Sequence, residues 1–154
     1  FFSSTFLQTQ NNEISEGSFF IKDDRLRVEY YRPSNILFVM STKKAMYFNK
    51  DLQEVEYFNP KKTTAKIFLD IFYSESFIRN SKLVEGKNFF YLSKEIIIDD
   101  IVNKVDIYFE DAPLKLRKIE ILNVNSKMTF TLINPNNNPD LDSEMFKMNH
   151  PLSG

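Results

Sequence analysis

Short apolar segments alternate with polar turns along most of the chain, which is the pattern of an antiparallel sheet. The clearest case is residues 26–31, where Leu26, Val28 and Tyr30 alternate with polar neighbours. Successive side chains of a strand point to opposite faces, so these three side chains share one apolar face. The other face of this strand is expected to be hydrated.

Comparable segments predict the remaining strands. They are expected at residues 1–10, 18–22, 36–40, 45–48, 53–57, 88–93, 103–110, 116–123 and 127–134. Asn11-Asn12 and Asp23-Asp24 are expected to be turns, and Pro33-Ser34 and Asn59-Pro60 to end strands. Residues 95–102 are ambiguous, because Ile96-Ile97-Ile98 favours a strand but the segment lacks alternation. Residues 135–140 are expected to form a loop.

The hydrophobic period changes after residue 62. Ala65, Phe68, Leu69 and Phe72 follow the i, i+3, i+4, i+7 spacing of an amphipathic helix. Thr63 or Thr64 is the expected N-cap, because a hydroxyl at that position accepts a bond from a free backbone N–H. Residues 75–80 are expected to add a helical turn, and a short element is expected around residues 145–146.

The composition excludes several classes of site and partner. The 154 residues include 16 Phe and 7 Tyr but no Cys, which excludes disulfides, thiolate metal sites and thiol catalysis. The 20 basic and 21 acidic residues balance, so nothing suggests nucleic acid as a partner. Three Gly residues do not allow a phosphate-binding loop. No apolar run approaches the roughly 20 residues of a membrane-spanning helix.

Few side chains are candidates for catalysis. His150 is the only His, so neither a metal site nor a catalytic triad is expected. The acidic pairs at 23–24 and 99–100 are expected to be solvated rather than catalytic. The Lys pairs at 43–44 and 61–62 are expected to protect strand edges, with contact to a membrane partner as the alternative. We expect no enzyme activity, no catalytic residues, no metal and no cofactor.

Several motifs occur in a characteristic order. They are Phe-Leu-Gln at 6–8, a Gly-initiated aromatic segment ending in Lys at 16–22, an alternating segment running into Pro at 25–33, and segments at 49–55, 111–117 and 140–146. In this order and spacing, over residues 2–151, the chain resembles the LolA family of outer-membrane lipoprotein carriers, in particular its alphaproteobacterial branch.

The resemblance implies a mainly β (α+β) fold, with a single curved antiparallel sheet forming an incomplete β-barrel and a short helical lid, in one domain over residues 1–154. It also implies a monomeric carrier in the periplasm. Such a carrier takes triacylated lipoproteins from an inner-membrane ABC transporter of the LolCDE type and passes them to a LolB-type receptor where one exists. The lipid-binding side chains expected on this basis are Leu26, Val28, Tyr30, Ala65, Phe68, Leu69, Phe72, Phe89, Tyr91 and Phe130.

The chain departs from the family pattern at some positions. Residues 22–24 read Lys-Asp-Asp where the family has Lys-Arg-Pro, and that Arg is associated with holding the lid shut. Arg25 or Arg27 is the expected substitute latch. Ala65 stands where a Pro often starts the lid helix. The chain begins at Phe1 within an apolar pattern, so we expect an N-terminal helix and a cleaved signal peptide to precede it.

Alternatives remain at two levels. Each expected lipid-binding side chain could instead be core, since apolar stripes usually are; in a carrier whose lid fills the empty cavity, the same side chains serve both purposes. For function, the alternatives on the same fold are a LolB-type receptor, which needs a lipidated N-terminal Cys, and a lipid-responsive sensor. An enzyme acting on a lipid or glycan is a third alternative, without a catalytic constellation to support it.

Overall fold

The structure is a computed structural model that describes residues 1–111 and 114–152. Residues 112–113, part of the motif at 111–117, and residues 153–154 lie outside the described residues. The strands are β1 Phe2–Gln10, β2 Glu13–Lys22, β3 Arg25–Arg32, β4 Ile36–Met40, β5 Ala45–Asn49, β6 Glu54–Phe58, β7 Lys82–Glu85, β8 Phe89–Ile98, β9 Ile101–Glu110, β10 Lys115–Leu122 and β11 Lys127–Asn136. The helices are α1 Ala65–Tyr73 and α2 Glu75–Arg79, with 3₁₀ turns at Pro60–Lys62 and Ser143–Phe146.

Within the described residues, the strands form one antiparallel sheet in the order β6-β5-β4-β3-β2-β1-β11-β10-β9-β8-β7. The first and last strands pair at its centre, where Phe6 lies opposite Leu132. The edges β6 and β7 do not pair with each other, so the sheet is open rather than closed into a barrel. This architecture confirms the predicted mainly β fold, an incomplete barrel with a short helical lid.

Asn residues, rather than Gly, make the tight turn between β1 and β2. Asn11 and Asn12 have φ angles of 49° and 76°. A two-residue type I′ hairpin turn requires positive φ at both central positions. After Gly, Asn and Asp adopt this conformation most readily, so hairpins form here in a chain with only three Gly residues.

The ambiguous segment at residues 95–102 is also a hairpin. Asp99 and Asp100 form its turn, with φ angles of 48° and 64°. Ile96 and Ile98 are buried, whereas Ile97 is 65% exposed. The segment therefore alternates in the structure, and an apolar residue on the exposed side hid that alternation in the sequence.

Some element boundaries differ from the predictions. β7 was not predicted, because this edge strand contains only Leu83 and Val84 as an apolar signal. β2 begins at Glu13 rather than at residue 18. The loop predicted from residue 135 is wrong at its start, because β11 continues to Asn136. Asn134 has a φ of 55° and lies where the pairing register shifts against β1, and such bulges accommodate the following Pro.

Two apolar clusters lie on opposite faces of the sheet. The larger is on the face that carries Leu26, called the inner face, and includes residues of both helices such as Leu69 and Phe77. The smaller lies on the outer face and contains Leu37, Val39, Met46 and Phe48, with Met148 packed against it. The helices therefore cover the inner face, and the C-terminal segment covers part of the outer face.

We expect Gly17→Ala to destabilise the fold. An added Cβ would overlap the Glu29 carbonyl oxygen and lie 2.8 Å from Cζ of Phe6. Neither group can move without shifting β3 or the core, so the free energy of unfolding should fall by roughly 1–3 kcal/mol, measured by urea denaturation.

Gly86→Ala is the matched control. The three heavy atoms nearest its added Cβ all belong to the ring of Phe89. Because this side chain is 43% exposed, its ring has room to move aside. The stability change should stay within about 0.5 kcal/mol. Equal losses in the two variants would contradict this account of Gly17.

Candidate functional site

A cavity of about 290 Å³ lies between the inner face of the sheet and α1. Its walls come from strands of both halves of the sheet and from the segment that begins α1. The lining residues are Phe6, Gln8, Phe19, Leu26, Val28, Tyr30, Phe38, Met40, Phe58, Thr63, Thr64, Ala65, Phe68, Phe72, Ile119, Met128, Phe130 and Leu132. The walls are almost entirely apolar and rich in aromatic rings.

The alternation of β3 builds one wall of this cavity. Leu26, Val28 and Tyr30 all line it, as their shared face predicts. In the neighbouring strand β4, Phe38 lies opposite Val28, and Met40 lies opposite Leu26. The pairing of β3 with β4 therefore joins the apolar side chains of the two strands into one continuous surface.

α1 forms the opposite wall. The Phe68 ring packs edge-on against Phe130 with ring centroids 4.8 Å apart, and Phe72 packs against Phe19 at 5.7 Å. On the helix itself, Lys66 and Asp70 form an ion pair with Nζ and Oδ2 2.6 Å apart. The ring contacts of Phe68 and Phe72 with the sheet are apolar and do not require a particular partner, so other apolar groups can replace them.

One directional contact fastens α1 to the sheet. The Tyr73 hydroxyl donates a hydrogen bond to the backbone oxygen of Arg25, at 2.6 Å. Burial raises the pKa of the Tyr73 phenol, and the nearby charges of Asp24 and Asp23 raise that pKa further. The phenol is therefore protonated at neutral pH and is the donor of this bond.

A polar pair lies among the apolar side chains of the cavity. The Tyr30 hydroxyl donates to Oε1 of Gln8 at 2.5 Å, and both residues line the cavity. Burial raises the pKa of Tyr30 to about 12, so its hydroxyl also stays protonated. Sequence reasoning placed Gln8 in a motif but gave it no place in the site.

The structure brings most of the predicted lipid-binding side chains together. Those that line the cavity are Leu26, Val28, Tyr30, Ala65, Phe68, Phe72 and Phe130. Leu69 is buried in the core instead. Phe89 and Tyr91 belong to the outer-face set of β8, where Tyr91 packs against Tyr108 at 4.7 Å. The binding role of all ten stays a prediction.

The predicted latch residues contact the C-terminal segment rather than the lid. Arg25 Nη1 donates to the backbone oxygen of Phe146 at 3.1 Å. Arg27 Nη1 donates to the oxygen of Met145 at 2.8 Å, and Arg27 also pairs with Glu29. The side chains of Arg25 and Arg27 therefore hold the 3₁₀ turn on the outer face, whereas the bond from the sheet to α1 uses the backbone of Arg25.

The cavity also contains residues that sequence reasoning missed. Phe6 and Gln8 on β1, Phe38 and Met40 on β4, and Phe58 on β6 all line it. On β1 the inner-facing positions mix apolar and polar types, so no apolar stripe marks them. Which face of β1 points inward depends on the strands that pair with it, and those strands are not all adjacent to β1 in the sequence.

The described residues provide neither a metal-binding cluster nor a membrane-spanning helix. Among the described residues, no three His, Cys, Asp or Glu side chains lie together in a way that could hold a metal ion. No helix in the described part of the chain has the length and apolar character to cross a membrane.

Comparison with protein families identifies the family of this chain. The model of the family described as outer membrane lipoprotein carrier protein LolA matches residues 2–149, nearly the whole chain. A comparison with curated proteins finds no match.

Replacing Tyr73 with Phe should loosen α1. The variant keeps the ring but loses the hydrogen bond to Arg25, and a net bond strength of about 1 kcal/mol corresponds to roughly fivefold faster opening. Hydrogen exchange of the α1 amides measures this change. Tyr57→Phe is the matched control, because the Tyr57 hydroxyl donates to Met148 on the outer face. Equal exchange of the α1 amides in both variants would argue against a role for Tyr73 in holding the lid.

Proposed function

This chain belongs to the LolA family of outer membrane lipoprotein carriers, and we propose that it is a periplasmic carrier that hides the acyl chains of lipoproteins in the cavity beneath α1. The observation that carries this proposal is the cavity itself. It is apolar, lies on the inner face of an open sheet, and is covered by a helix that one side-chain hydrogen bond ties to the edge of the site.

The composition of the walls suits acyl chains. A methylene chain offers no hydrogen bonds, so its binding depends on apolar area removed from water. Aromatic rings and the thioethers of Met40 and Met128 supply such area and adapt to different chain positions. A site for a polar substrate would instead need several converging polar groups.

The size of the cavity sets the affinity of the closed form. With a methylene volume of ~30 Å³, similar to the share of one water molecule in the liquid, a space of about 290 Å³ holds about ten methylenes. Burying that many is worth roughly 8 kcal/mol, which corresponds to a dissociation constant near micromolar. An affinity of this order allows both uptake and release.

A triacylated anchor is much larger than the closed cavity. α1 must therefore move away from the sheet when cargo enters, and the contacts of Phe68 and Phe72 with the sheet are lost. Acyl chains replace those contacts with others of the same apolar kind. The free energy lost when α1 leaves the sheet is therefore close to the free energy gained when the acyl chains bind. The same side chains act as core in the empty protein and as binding site in the loaded one.

Delivery follows from this balance. A chain of about 15 methylenes hidden completely would gain roughly 12 kcal/mol, and release into water would then be too slow. The carrier instead passes its cargo directly between partners: an inner-membrane ABC transporter of the LolCDE type supplies it, and a receptor of the LolB type accepts it where one exists.

Phe68→Glu should abolish cargo binding. A carboxylate on the cavity side of α1 would lie against bound methylenes, and burying an unpaired charge is costly. We expect at least a tenfold loss in the amount of triacylated lipoprotein that co-purifies after release, with ATP, from membranes bearing the transporter.

Ile78→Glu is the control for this experiment. Ile78 lies on α2 and is 61% exposed, so the same substitution there should leave cargo recovery unchanged. Circular dichroism verifies that both variants are folded. Full recovery with a folded Phe68→Glu protein would show that Phe68 does not contact the acyl chains.

A further inference from the structure

Gln8 is an unusual residue for an apolar cavity. It lies on β1 between β2 and β11, with Phe130 as its β11 partner, and only 9% of its surface is exposed. It is nevertheless an amide with an acceptor oxygen and a nitrogen that carries two donor hydrogens. A buried amide in such surroundings is costly unless its groups find partners.

Only one end of this amide is occupied. Oε1 accepts from the Tyr30 hydroxyl, whereas no described residue accepts a hydrogen bond from Nε2. Every fully buried side-chain nitrogen and oxygen among the described residues has a partner. Nε2 is therefore not sealed in the core but faces accessible space, and the space next to Gln8 is the cavity.

Tyr30 fixes which end points into the cavity. In the structure its hydroxyl donates to the amide oxygen, and this bond leaves the amide nitrogen for another group. The side chains around the pair in the cavity wall, such as Phe6, Val28 and Phe130, have no oxygen to offer. Among the described residues, Nε2 of Gln8 is thus a hydrogen-bond donor at the cavity wall that no acceptor of the site reaches.

We propose that Nε2 of Gln8 donates a hydrogen bond to an acyl carbonyl oxygen of the bound lipid, a subsite that rests on the carrier function proposed above. An ester carbonyl is an acceptor without a donor, which complements this site. The bond would set how far an acyl chain enters the cavity, because the carbonyl marks where the chain joins its headgroup.

Two small ligands test the proposal directly. Methyl decanoate has an ester carbonyl, and decyl methyl ether has the same chain without one. Displacement of the fluorescent apolar probe N-phenyl-naphthylamine gives the dissociation constant of each. The native protein should prefer the ester. Gln8→Leu should reduce the ether-to-ester ratio of dissociation constants about fivefold, the usual net effect of one such bond.

Two further variants keep the test informative. Gln8→Leu leaves the Tyr30 hydroxyl without its partner, so the double variant Gln8→Leu, Tyr30→Phe removes both polar groups and is expected to fold. It should also lack the ester preference. Thr9→Val makes a polar-to-apolar change on the adjacent, exposed residue of β1 and should keep the native ratio.

The outcomes separate the two proposals. If the native protein binds neither ligand, the acyl-carrier function fails and the Gln8 subsite with it. If it binds both and the ratio is the same in the Gln8 variants, the subsite alone is overturned. Repeating the titration with a triacylated lipopeptide and with phosphatidylethanolamine identifies the source of the carbonyl. Gln8→Leu is expected to weaken the binding of the lipopeptide. If the substitution weakens the binding of the phospholipid alone, the lipoprotein is not the source of the carbonyl.

Discussion

An open sheet with a continuous apolar inner face needs another element to cover that face. In this protein α1 is the cover, and the aromatic contacts of Phe68 and Phe72 with the sheet hold it there. The cover is incomplete, because a cavity of about 290 Å³ remains beneath it. Stability of the empty protein and space for a ligand therefore depend on the same interface.

Because the interface between α1 and the sheet is apolar, the same fold can bind and release acyl chains. Apolar contacts have no required partner, so acyl methylenes can replace Phe rings at little net cost. Directional bonds are confined to a few points: Tyr73 ties α1 to Arg25, and Tyr30 orients Gln8. On the outer face, Arg25 and Arg27 hold the C-terminal segment, which leaves the lid side of the sheet free to open.

Local sequence patterns predicted much of this fold. The alternation of β3 predicted an inner face that lines the cavity, and the helical spacing after Thr63 predicted α1. Local patterns could not predict placement that depends on neighbouring strands. Phe89 and Tyr91 were expected to bind lipid, and the pairing of β8 with β9 places them on the outer face, away from the cavity. Leu69 shares the helical spacing of Phe68 but points into the core. Gln8 was missed because a polar residue in an apolar wall breaks the pattern used to find the wall.

The central claim is that acyl chains enter beneath α1 and displace it. The chain has no Cys, so spin labels can be attached at cysteines introduced for Lys66 on α1 and Thr9 on β1, and pulsed electron resonance can measure the distance between them. Saturation with a triacylated lipopeptide should replace the short distance of the empty protein with a longer one. A lipopeptide-bound protein whose label distance equals that of the empty protein would contradict the account.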